Sequence, residues 1–371
     1  MKITFALPHV GLHGGVRVIA IYAERLVQRG HEVTLVSLPL KTKGRGIRGR
    51  LKLYWRNFRR YGWRNITSVP SHLDGLRGVK HHVLDDWRPL SDADVPDADV
   101  IIATWWETAE WVMQMSRVKG AKVLLIQHYE VHIGQPADRV DATWRLPVHK
   151  IAISEWLANL ARDKFGDKNV SLVPNSVDTE LFQAPEREKQ ATPTIGLMYS
   201  HTHFKGCDIS LKAIELARRE VPDLKLLTFG TDAPNVDLPL PPNAVHAQSP
   251  PQTTIRDIYA GCDAWIVGSR FEGFGLPILE SMACRTPVIG TPTGAAPPLL
   301  RSGGGILLEQ LESVEEMAEA IVKIAKMSPQ DWKQMSDIAY ETAHGYSWDD
   351  AIDLLEEALE AAVRRADAGE I

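Results

Sequence analysis

Short continuous apolar runs recur along the chain, and helical patterns alternate with them. Residues 3–7 form the first such run, and a helix predicted over about residues 16–29 follows it, with Gly30 as its C-terminal cap. Continuous apolar runs are typical of strands buried on both faces, and strands that alternate with helices favour a mostly parallel sheet. The other strands predicted in this part of the chain lie at residues 33–38, 100–103, 123–126 and 150–153.

A polar, proline-flanked stretch at residues 183–193 interrupts this alternation and is predicted to be a linker. The alternation then restarts, with a helix predicted over about residues 207–219. The strands predicted after the linker lie at residues 194–198, 224–229, 264–268 and 288–290. The chain is therefore predicted to be an α/β protein of two doubly wound, Rossmann-like units that face each other.

The last helix has a separate place in this organisation. Ser347 and Asp350 resemble the start of a capping box, and Ile352, Leu355 and Leu359 fall on one face. A helix with one apolar stripe must dock on another surface. We therefore predict an N-terminal domain over residues 1–188, a second domain over residues 189–345, and a C-terminal helix over residues 346–371 that packs back on the first domain.

The clearest candidate for chemistry is a segment rich in glycine and glutamate, between a predicted strand and a predicted helix. Open α/β sheets bind ligands at this place. Gly273 and Gly275 allow a ligand close to the backbone, and Leu276 begins a helix whose free N–H groups suit a diphosphate. Glu280 lies about one turn into that helix, where its carboxylate can accept hydrogen bonds from ribose hydroxyls. Glu272 precedes the glycines, where it can bind hydroxyls of a transferred sugar.

In this segment the chain resembles the retaining GT-B glycosyltransferases of glycosyltransferase family 4 (group 1). The signature of that family is two glutamates separated by seven residues, and Glu272 and Glu280 match it within the intact sequence EGFGLPILE. The resemblance implies a GT-B fold with two Rossmann-like domains facing a central cleft. It also implies a donor site that includes Gly273, Phe274, Gly275 and Leu276. Glu272 would contact the donor sugar as a catalytic residue.

Three more places in the chain match the family. Gly14 and Gly15 resemble the loop that reaches the donor phosphate, although a plain tight turn is the alternative. His128 resembles a histidine near the donor sugar and is a catalytic candidate, with a hydrogen-bonded structural residue as the alternative. Lys205 and Gly206 match a lysine–glycine pair that neutralises the diphosphate, with a surface lysine as the alternative.

One position departs from the family, because Ser200 stands where an arginine usually lies five residues before the lysine. The charge of a leaving diphosphate must be stabilised by other groups. Arg270, His201 and His203 are the candidate replacements, together with the helix dipole. The resemblance implies transfer without a metal ion, and no metal site is predicted, since Asp92–Asp94 lies in a polar run and not at a strand end.

A basic, aromatic stretch at residues 41–64 contains ten Lys and Arg and no acid. Arg and Lys beside Trp and Tyr are typical of a helix at an anionic membrane interface, which suits a lipid-linked acceptor. Two alternatives are that the aromatic residues pack on the first domain beside solvated arginines, and that the arginines recognise an anionic acceptor in solution. The candidate membrane contacts are Arg48, Lys52, Trp55, Arg56, Phe58, Arg59 and Arg60.

Charge, cysteine content and hydropathy limit the class of protein. The net charge of −5 gives no support for binding nucleic acid. No run reaches the roughly 18 apolar residues of a membrane span. Three isolated cysteines indicate a reducing compartment. We expect a cytoplasmic protein, with the inner face of the membrane as a further hypothesis from the basic stretch.

The favoured hypothesis is an enzyme that moves a sugar from a nucleoside-diphosphate-sugar to a glycan or lipid-linked acceptor, without a cofactor. Trp105 and Trp106 are acceptor candidates because aromatic rings stack on sugars, with buried packing as the alternative. A non-catalytic nucleotide- or sugar-binding relative is the second hypothesis, supported by Ser200 alone. Epimerases lack the glutamate spacing, phosphorylases carry a pyridoxal lysine, and a dehydrogenase needs a GxGxxG loop that residues 11–15 do not form.

Overall fold

The structure, a computed structural model, describes residues 1–39 and 70–371 of the chain. The described chain divides into two compact units. Met1–Val173 and Ile352–Ile371 form the first unit, and Pro174–Ala351 forms the second. The division falls earlier than the predicted boundary at residue 188, because polar contacts hold the segment around residues 187–190 on the second unit. Arg187 donates to Thr286 Oγ1 at 2.9 Å, and the Gln190 amide donates to Asp263 Oδ1 at 2.8 Å.

The first unit is built on a parallel sheet. Its strands are β1 (Lys2–His9), β2 (Glu32–Leu38), β3 (Lys80–Val83), β4 (Val100–Ala103), β5 (Ala121–Ile126), β6 (His149–Ala152) and β7 (Ser171–Leu172). The sheet order is β3-β2-β1-β4-β5-β6-β7, and each neighbouring pair is parallel. Among the described residues, the α-helices between these strands are α1 (Gly14–Gln28), α2 (Trp106–Met113), α3 (Ala137–Trp144) and α4 (Glu155–Asp163).

The second unit repeats this plan. Its strands are β8 (Thr194–Met198), β9 (Lys225–Gly230), β10 (Val245–Gln248), β11 (Ala264–Val267), β12 (Val288–Gly290) and β13 (Gly305–Leu307). The sheet order is β10-β9-β8-β11-β12-β13, again with parallel pairs. The helices are α5 (Cys207–Ala217), α6 (Gln252–Ala260), α7 (Leu276–Ala283), α8 (Ala296–Leu300), α9 (Val314–Lys326) and α10 (Pro329–His344). The next helix, α11 (Trp348–Asp367), lies mostly in the first unit.

The strand order places a ligand-binding position in each sheet. The chain extends the sheet on one side and then crosses to the other, so the order reverses between β1 and β4 and between β8 and β11. Open α/β sheets bind ligands at the carboxyl ends of strands at such a switch point. In the second unit, the loops after β8 and β11 therefore form the expected ligand-binding edge.

The strands predicted from apolar runs are the interior strands of the two sheets. All four residues of Val100–Ala103 and of Ala264–Val267 are buried, as expected of central parallel strands. The four strands that the runs did not predict are β3, β7, β10 and β13, which are the edge strands of the two sheets. An edge strand has fewer neighbours to cover it, and every residue of Lys80–Val83 is exposed.

The apolar stripe of α11 is buried, with Ile352 and Leu359 completely covered. Polar contacts join this helix to elements of the first unit. Arg29 donates to Asp353 and to Glu356, and His31 Nε2 lies 2.6 Å from Glu356 Oε1. Residues 352–371 therefore complete the first unit, although they follow the second unit in the sequence.

His149 links β6, β7 and α11 in the buried interior of the first unit. Its Nε2 lies 2.9 Å from Ser171 Oγ, and its Nδ1 lies 3.1 Å from Arg365 Nη1. A guanidinium only donates, so Nδ1 must be an unprotonated acceptor. Burial, followed by the charge of Arg365, lowers the pKa of His149 to about 4.

We expect the His149→Gln variant to show how this pairing depends on pH. The pKa of His149 is lower in the folded chain than the ordinary value of 6.5, so its contribution to stability is present above pH 6.5 and is lost as the pH falls towards 4. Urea-induced unfolding of both chains at pH 7.5 and pH 4 should show the wild-type chain losing about 3 kcal/mol relative to the variant. A difference between the two chains that stays constant with pH would contradict this assignment.

Candidate active site

The loops after β8 and β11 touch each other at the switch point of the second unit. Gly206 has a φ of +64°, and a Cβ on this residue would lie 1.9 Å from the carbonyl oxygen of Gly268. The backbone amide of Arg270 also donates to Phe204 O at 2.8 Å. Only glycine at position 206 permits both this conformation and this approach. The contact brings the loop after β8, which carries Lys205, directly against the loop after β11, which carries Glu272.

Lys205 and Glu272 form the polar centre of this contact. Lys205 Nζ lies 2.7 Å from Glu272 Oε1, and the Ser269 hydroxyl donates to the same oxygen at 2.7 Å. Glu272 is buried, and about a fifth (22%) of the Lys205 side chain is exposed. The site thus presents one ammonium group and one oriented carboxylate at the same point. A ligand that carries both hydroxyls and negative charge is the chemical match for that pair.

The glycines of the loop after β11 lead into the N-terminus of α7. Gly275 caps this helix with a φ of +92°, and Pro277 lies in its first turn, where no N–H is needed. The carbonyl oxygen of Phe274 accepts a hydrogen bond of 2.8 Å from the Ala295 amide. A Cβ on Gly294 would lie 2.4 Å from that same oxygen. The loop after β12 therefore supports the loop before α7, a contact that the sequence motif did not indicate.

Glu280 lies in the middle of α7, and its carboxylate is buried. Its Oε2 accepts a hydrogen bond of 2.9 Å from the Tyr259 hydroxyl. The sequence predicted the position of Glu280 one turn into a helix, and the structure agrees. It did not single out Tyr259, which belongs to a different helix.

Arg270 has protein partners for its guanidinium. It forms a bidentate pair with Asp208, at 2.9 Å for both bonds, and it donates to His203 O at 2.7 Å. It also bonds Glu312. Asp208, and then Glu312, raise the pKa of Arg270. Because Asp208 lies in the first turn of α5, Arg270 joins the loop after β11 to the loop that carries Lys205.

Ser200 also has an acidic neighbour that the sequence did not indicate. Its hydroxyl lies 3.3 Å from Asp232 Oδ2, and the amide of His201 donates to that oxygen at 2.9 Å. The side chains of His201 and His203 are exposed, and His201 Nε2 lies 3.4 Å from Tyr199 OH. Neither histidine is part of the contact between Lys205 and Glu272.

Gly14 and Gly15 are the first residues of α1 in the first unit. A Cβ on Gly15 would lie 3.4 Å from the Gln127 side-chain amide, so the turn is closely packed against the end of β5. His128 follows Gln127 and is half-buried, with Nδ1 3.0 Å from Tyr129 O. Gly15 and the segment containing His128 therefore lie near each other at the carboxyl edge of this sheet.

A buried acid, Glu130, was not identified from the sequence. It lies on a short 3₁₀ helix, Glu130–Ile133, just after His128. Burial raises its pKa to about 7. A buried carboxyl group of this kind holds a proton at a higher pH than an exposed one. No pattern in the sequence distinguished it from a surface glutamate.

The two tryptophans proposed as acceptor contacts differ in exposure. Trp105 is half-buried and caps α2, whereas only 4% of Trp106 is exposed. The guanidinium of Arg139 lies 4.4 Å from the centre of the Trp106 ring. Trp106 therefore fits the packing alternative, and Trp105 has the more accessible ring.

Several predictions concern residues or features away from these loops. The candidate membrane contacts between Arg48 and Arg60 lie outside the described residues. Within residues 1–39 and 70–371, no group of three or more His, Cys, Asp or Glu is arranged to hold a metal ion. Asp94 instead pairs with Arg88, and Asp92 Oδ1 accepts from the Ser116 amide at 3.0 Å. No helix in this described part combines the length and apolar character of a membrane span.

The described sheets and their loops place the molecule in the GT-B class, because solved structures align over nearly the whole chain. HepE of Anabaena, in complex with UDP and glucose, has a TM-score of 0.70 at 16% identity, covering 97% of this chain and 100% of that one. Sucrose-phosphate synthase from Thermosynechococcus elongatus has a TM-score of 0.67 at 14% identity, covering 96% and 98%. At these identities the likeness concerns the fold alone, and it confirms the predicted α/β fold.

The amino-acid sequence also matches two glycosyltransferase family models. Residues 12–181 match Glycosyltransferase Family 4, and residues 192–327 match Glycosyl transferases group 1. The chain belongs to this glycosyltransferase family, which confirms the resemblance seen in the glutamate motif.

Curated relatives match over shorter regions. D-inositol 3-phosphate glycosyltransferase of Actinosynnema mirum is 35% identical over 102 residues, which are 27% of this chain and 24% of the relative. D-inositol 3-phosphate glycosyltransferase 1 of Catenulispora acidiphila is 26% identical over 224 residues, which are 53% of this chain and 52% of the relative. The chain thus spans about a quarter to a half of the length of these relatives.

We expect Gly206→Ala to disrupt the contact between the two loops. Alanine at this φ costs about 1–2 kcal/mol, and the overlap of its Cβ with Gly268 O adds a backbone displacement, for a total of at least about 3 kcal/mol. Gly303→Ala is the matched control. Gly303 also has a positive φ, of +98°, but a Cβ on this residue would lie 3.6 Å from its nearest neighbour, Ile338 Cδ1. Urea-induced unfolding should show a clearly larger loss for Gly206→Ala, and equal losses would contradict the close approach.

Proposed function

We propose that this protein is a retaining glycosyltransferase that takes a sugar from a nucleoside-diphosphate-sugar without a metal ion. The observation that carries the proposal is the pairing of Lys205 with Glu272 beside the N-terminus of α7, with Glu280 on the same helix. These groups match, in one small region, the three chemical parts of such a donor. The family membership supports the same class of reaction.

Each donor part has a proposed partner in the second unit. Glu272 accepts hydrogen bonds from the hydroxyls of the transferred sugar, and Glu280 accepts them from the ribose. Lys205 and the N–H groups at the start of α7 stabilise the diphosphate. Binding of the diphosphate separates Lys205 from its pairing with Glu272, which leaves the carboxylate to the sugar. The backbone of Gly273, Phe274, Gly275 and Leu276 completes the proposed donor contacts.

The structure gives a physical reason to reassign Arg270 within this proposal. Its guanidinium is bonded to Asp208, Glu312 and a backbone carbonyl. We therefore propose that Arg270 holds the two loops together, so that Lys205 and Glu272 stay within bonding distance. The positive charge at the diphosphate then comes from Lys205 and the dipole of α7. As the bond between sugar and phosphate breaks, these groups stabilise the charge that develops on the leaving diphosphate.

In the proposed reaction, the acceptor hydroxyl attacks the sugar from the face that the diphosphate leaves. The bond from the anomeric carbon to the phosphate oxygen breaks, the bond to the acceptor oxygen forms, and the leaving phosphate takes the hydroxyl proton. In the first unit, we propose that Gly14 and Gly15 bind the donor and that His128 is a catalytic residue. Trp105 is proposed to contact the acceptor. HepE, which shares the fold, forms a complex with UDP and glucose, and these two ligands are the parts of one member of the proposed donor class, UDP-glucose.

A glycan or lipid-linked acceptor is proposed, in keeping with the basic stretch at residues 41–64. A non-catalytic nucleotide-binding relative is the second candidate function. The observation in its favour is that Ser200, with Asp232 beside it, stands where the family usually has an arginine. Neither Ser200 nor Asp232 supplies positive charge to stabilise a leaving diphosphate, so turnover is the measurement that separates the two candidates.

We expect a nucleoside diphosphate to stabilise the protein through Glu280. A thermal-shift panel of UDP, GDP, ADP and dTDP should identify one nucleotide that raises Tm by about 5 °C or more at saturation. Glu280→Ala should lose most of this rise, because the ribose hydroxyls lose their acceptor while the diphosphate contacts remain. Glu319→Ala, which removes an exposed glutamate of α9, is the matched control and should keep it. No rise with any nucleotide would contradict the proposed donor site.

We expect transfer to continue in the presence of EDTA and to retain the anomeric configuration of the donor. The reason is that Lys205 and the start of α7 provide the stabilisation that a divalent ion would otherwise give. Turnover with the identified donor, followed by NMR of the product anomer, tests both points. Lys205→Ala should lower kcat by about 100-fold or more. A tenfold loss in EDTA that magnesium restores, or an inverted product, would contradict the mechanism.

A further inference from the structure

Tyr259 is a buried residue at the end of α6 that contacts the proposed donor site through one atom. It has no exposed surface, and its hydroxyl donates to Glu280 Oε2 at 2.9 Å. The bond joins α6 to α7. Glu280 is itself 8% exposed, so its carboxylate has limited contact with water. A buried carboxylate requires hydrogen-bond donors, and Tyr259 is one that the fold supplies.

The ring of Tyr259 is held in place by other aromatic side chains. Its centroid lies 4.5 Å from that of Trp265, 5.6 Å from that of Phe229 and 6.1 Å from that of Phe182, with each pair near an edge-to-face arrangement. Its carbonyl oxygen also accepts a hydrogen bond of 2.7 Å from Thr286 Oγ1. A side chain with two rotatable bonds, packed in this way, has one position for its hydroxyl.

Glutamate is a flexible side chain, so its orientation depends on what holds it. A carboxylate in which one oxygen accepts from a fixed hydroxyl presents its other oxygen in a defined direction. This matters at Glu280, because two vicinal ribose hydroxyls must be met at hydrogen-bond distance, and small displacements weaken such bonds.

We propose that Tyr259 is a positioning residue that orients Glu280 and so gives the site its preference for ribose over 2′-deoxyribose. The inference rests on the proposed function, since it assigns the ligand of Glu280 as a ribonucleotide. Tyr259 acts only through Glu280 and makes no contact with the ligand itself. Its aromatic neighbours fix the hydroxyl, the hydroxyl fixes the carboxylate, and the carboxylate discriminates between the two sugars.

The test compares binding of UDP or GDP, whichever stabilises the wild-type chain, with binding of its 2′-deoxy counterpart. We expect the wild-type chain to bind the ribonucleotide about tenfold more tightly, as is typical of one hydrogen bond to a charged group. Tyr259→Phe keeps the aromatic packing and removes only the hydroxyl. This variant should reduce the preference for ribose to about threefold or less. The affinity for the ribonucleotide should fall, and the affinity for the deoxynucleotide should stay nearly unchanged.

Tyr199→Phe is the matched control. It also removes a buried tyrosine hydroxyl of the second unit, one that donates to Leu238 O at 2.7 Å. We expect it to lower Tm without changing the preference for ribose. In the Glu280→Ala background, adding Tyr259→Phe should leave the remaining preference unchanged, since the group through which Tyr259 acts is absent.

The outcomes separate the two levels of the proposal. An unchanged preference in Tyr259→Phe, or an equal loss of affinity for both nucleotides, would overturn the positioning role while leaving the donor site in place. A further loss of preference on adding Tyr259→Phe to Glu280→Ala would also overturn it, because Tyr259 would then act by another route. Absence of any nucleotide binding by the wild-type chain would overturn the proposed function, and this inference with it.

Discussion

The site depends on one steric constraint, the approach of Gly206 to the carbonyl oxygen of Gly268. No side chain fits between these two backbones. The loop after β8 and the loop after β11 are therefore held together, and Lys205 meets Glu272 as a consequence. Arg270 and Asp208 reinforce the contact from the side with a bidentate ion pair. The arrangement of the candidate site is thus set first by backbone geometry and then by charge.

Parallel strands explain both what the sequence predicts about the fold and what it does not. Interior strands are covered on both faces, so each leaves a continuous apolar run, and all nine predicted runs correspond to interior strands. The edge strands β3, β7, β10 and β13 leave no such run. Lys80–Val83, for example, is exposed because only one strand pairs with it, and three of its four residues are polar or charged. Its place in the sheet is a property of the fold and not of local pattern.

The same division applies to the candidate site. The glycines follow from the needs of a loop that leads into a helix, and the spacing of Glu272 and Glu280 was recognised by its resemblance to a family motif, so both could be found in the sequence. Tyr259 and Asp208 lie outside the motif, and only the fold shows that they bond Glu280 and Arg270. The fold likewise places Asp232 beside Ser200. Arg270 illustrates the limit most clearly, because its residue type suggested a phosphate contact, whereas its bonds to Asp208, Glu312 and a backbone carbonyl are visible only in the structure.

The division of the chain into units has a consequence for synthesis. The second unit is one continuous segment, whereas the first needs Ile352–Ile371, which a ribosome makes after the second unit. During translation the second unit can therefore close as soon as its own residues have emerged, while the first waits with the surface for α11 uncovered. The N-terminal strands are in this sense made before the second unit but completed after it, and until then their uncovered apolar surface is open to aggregation.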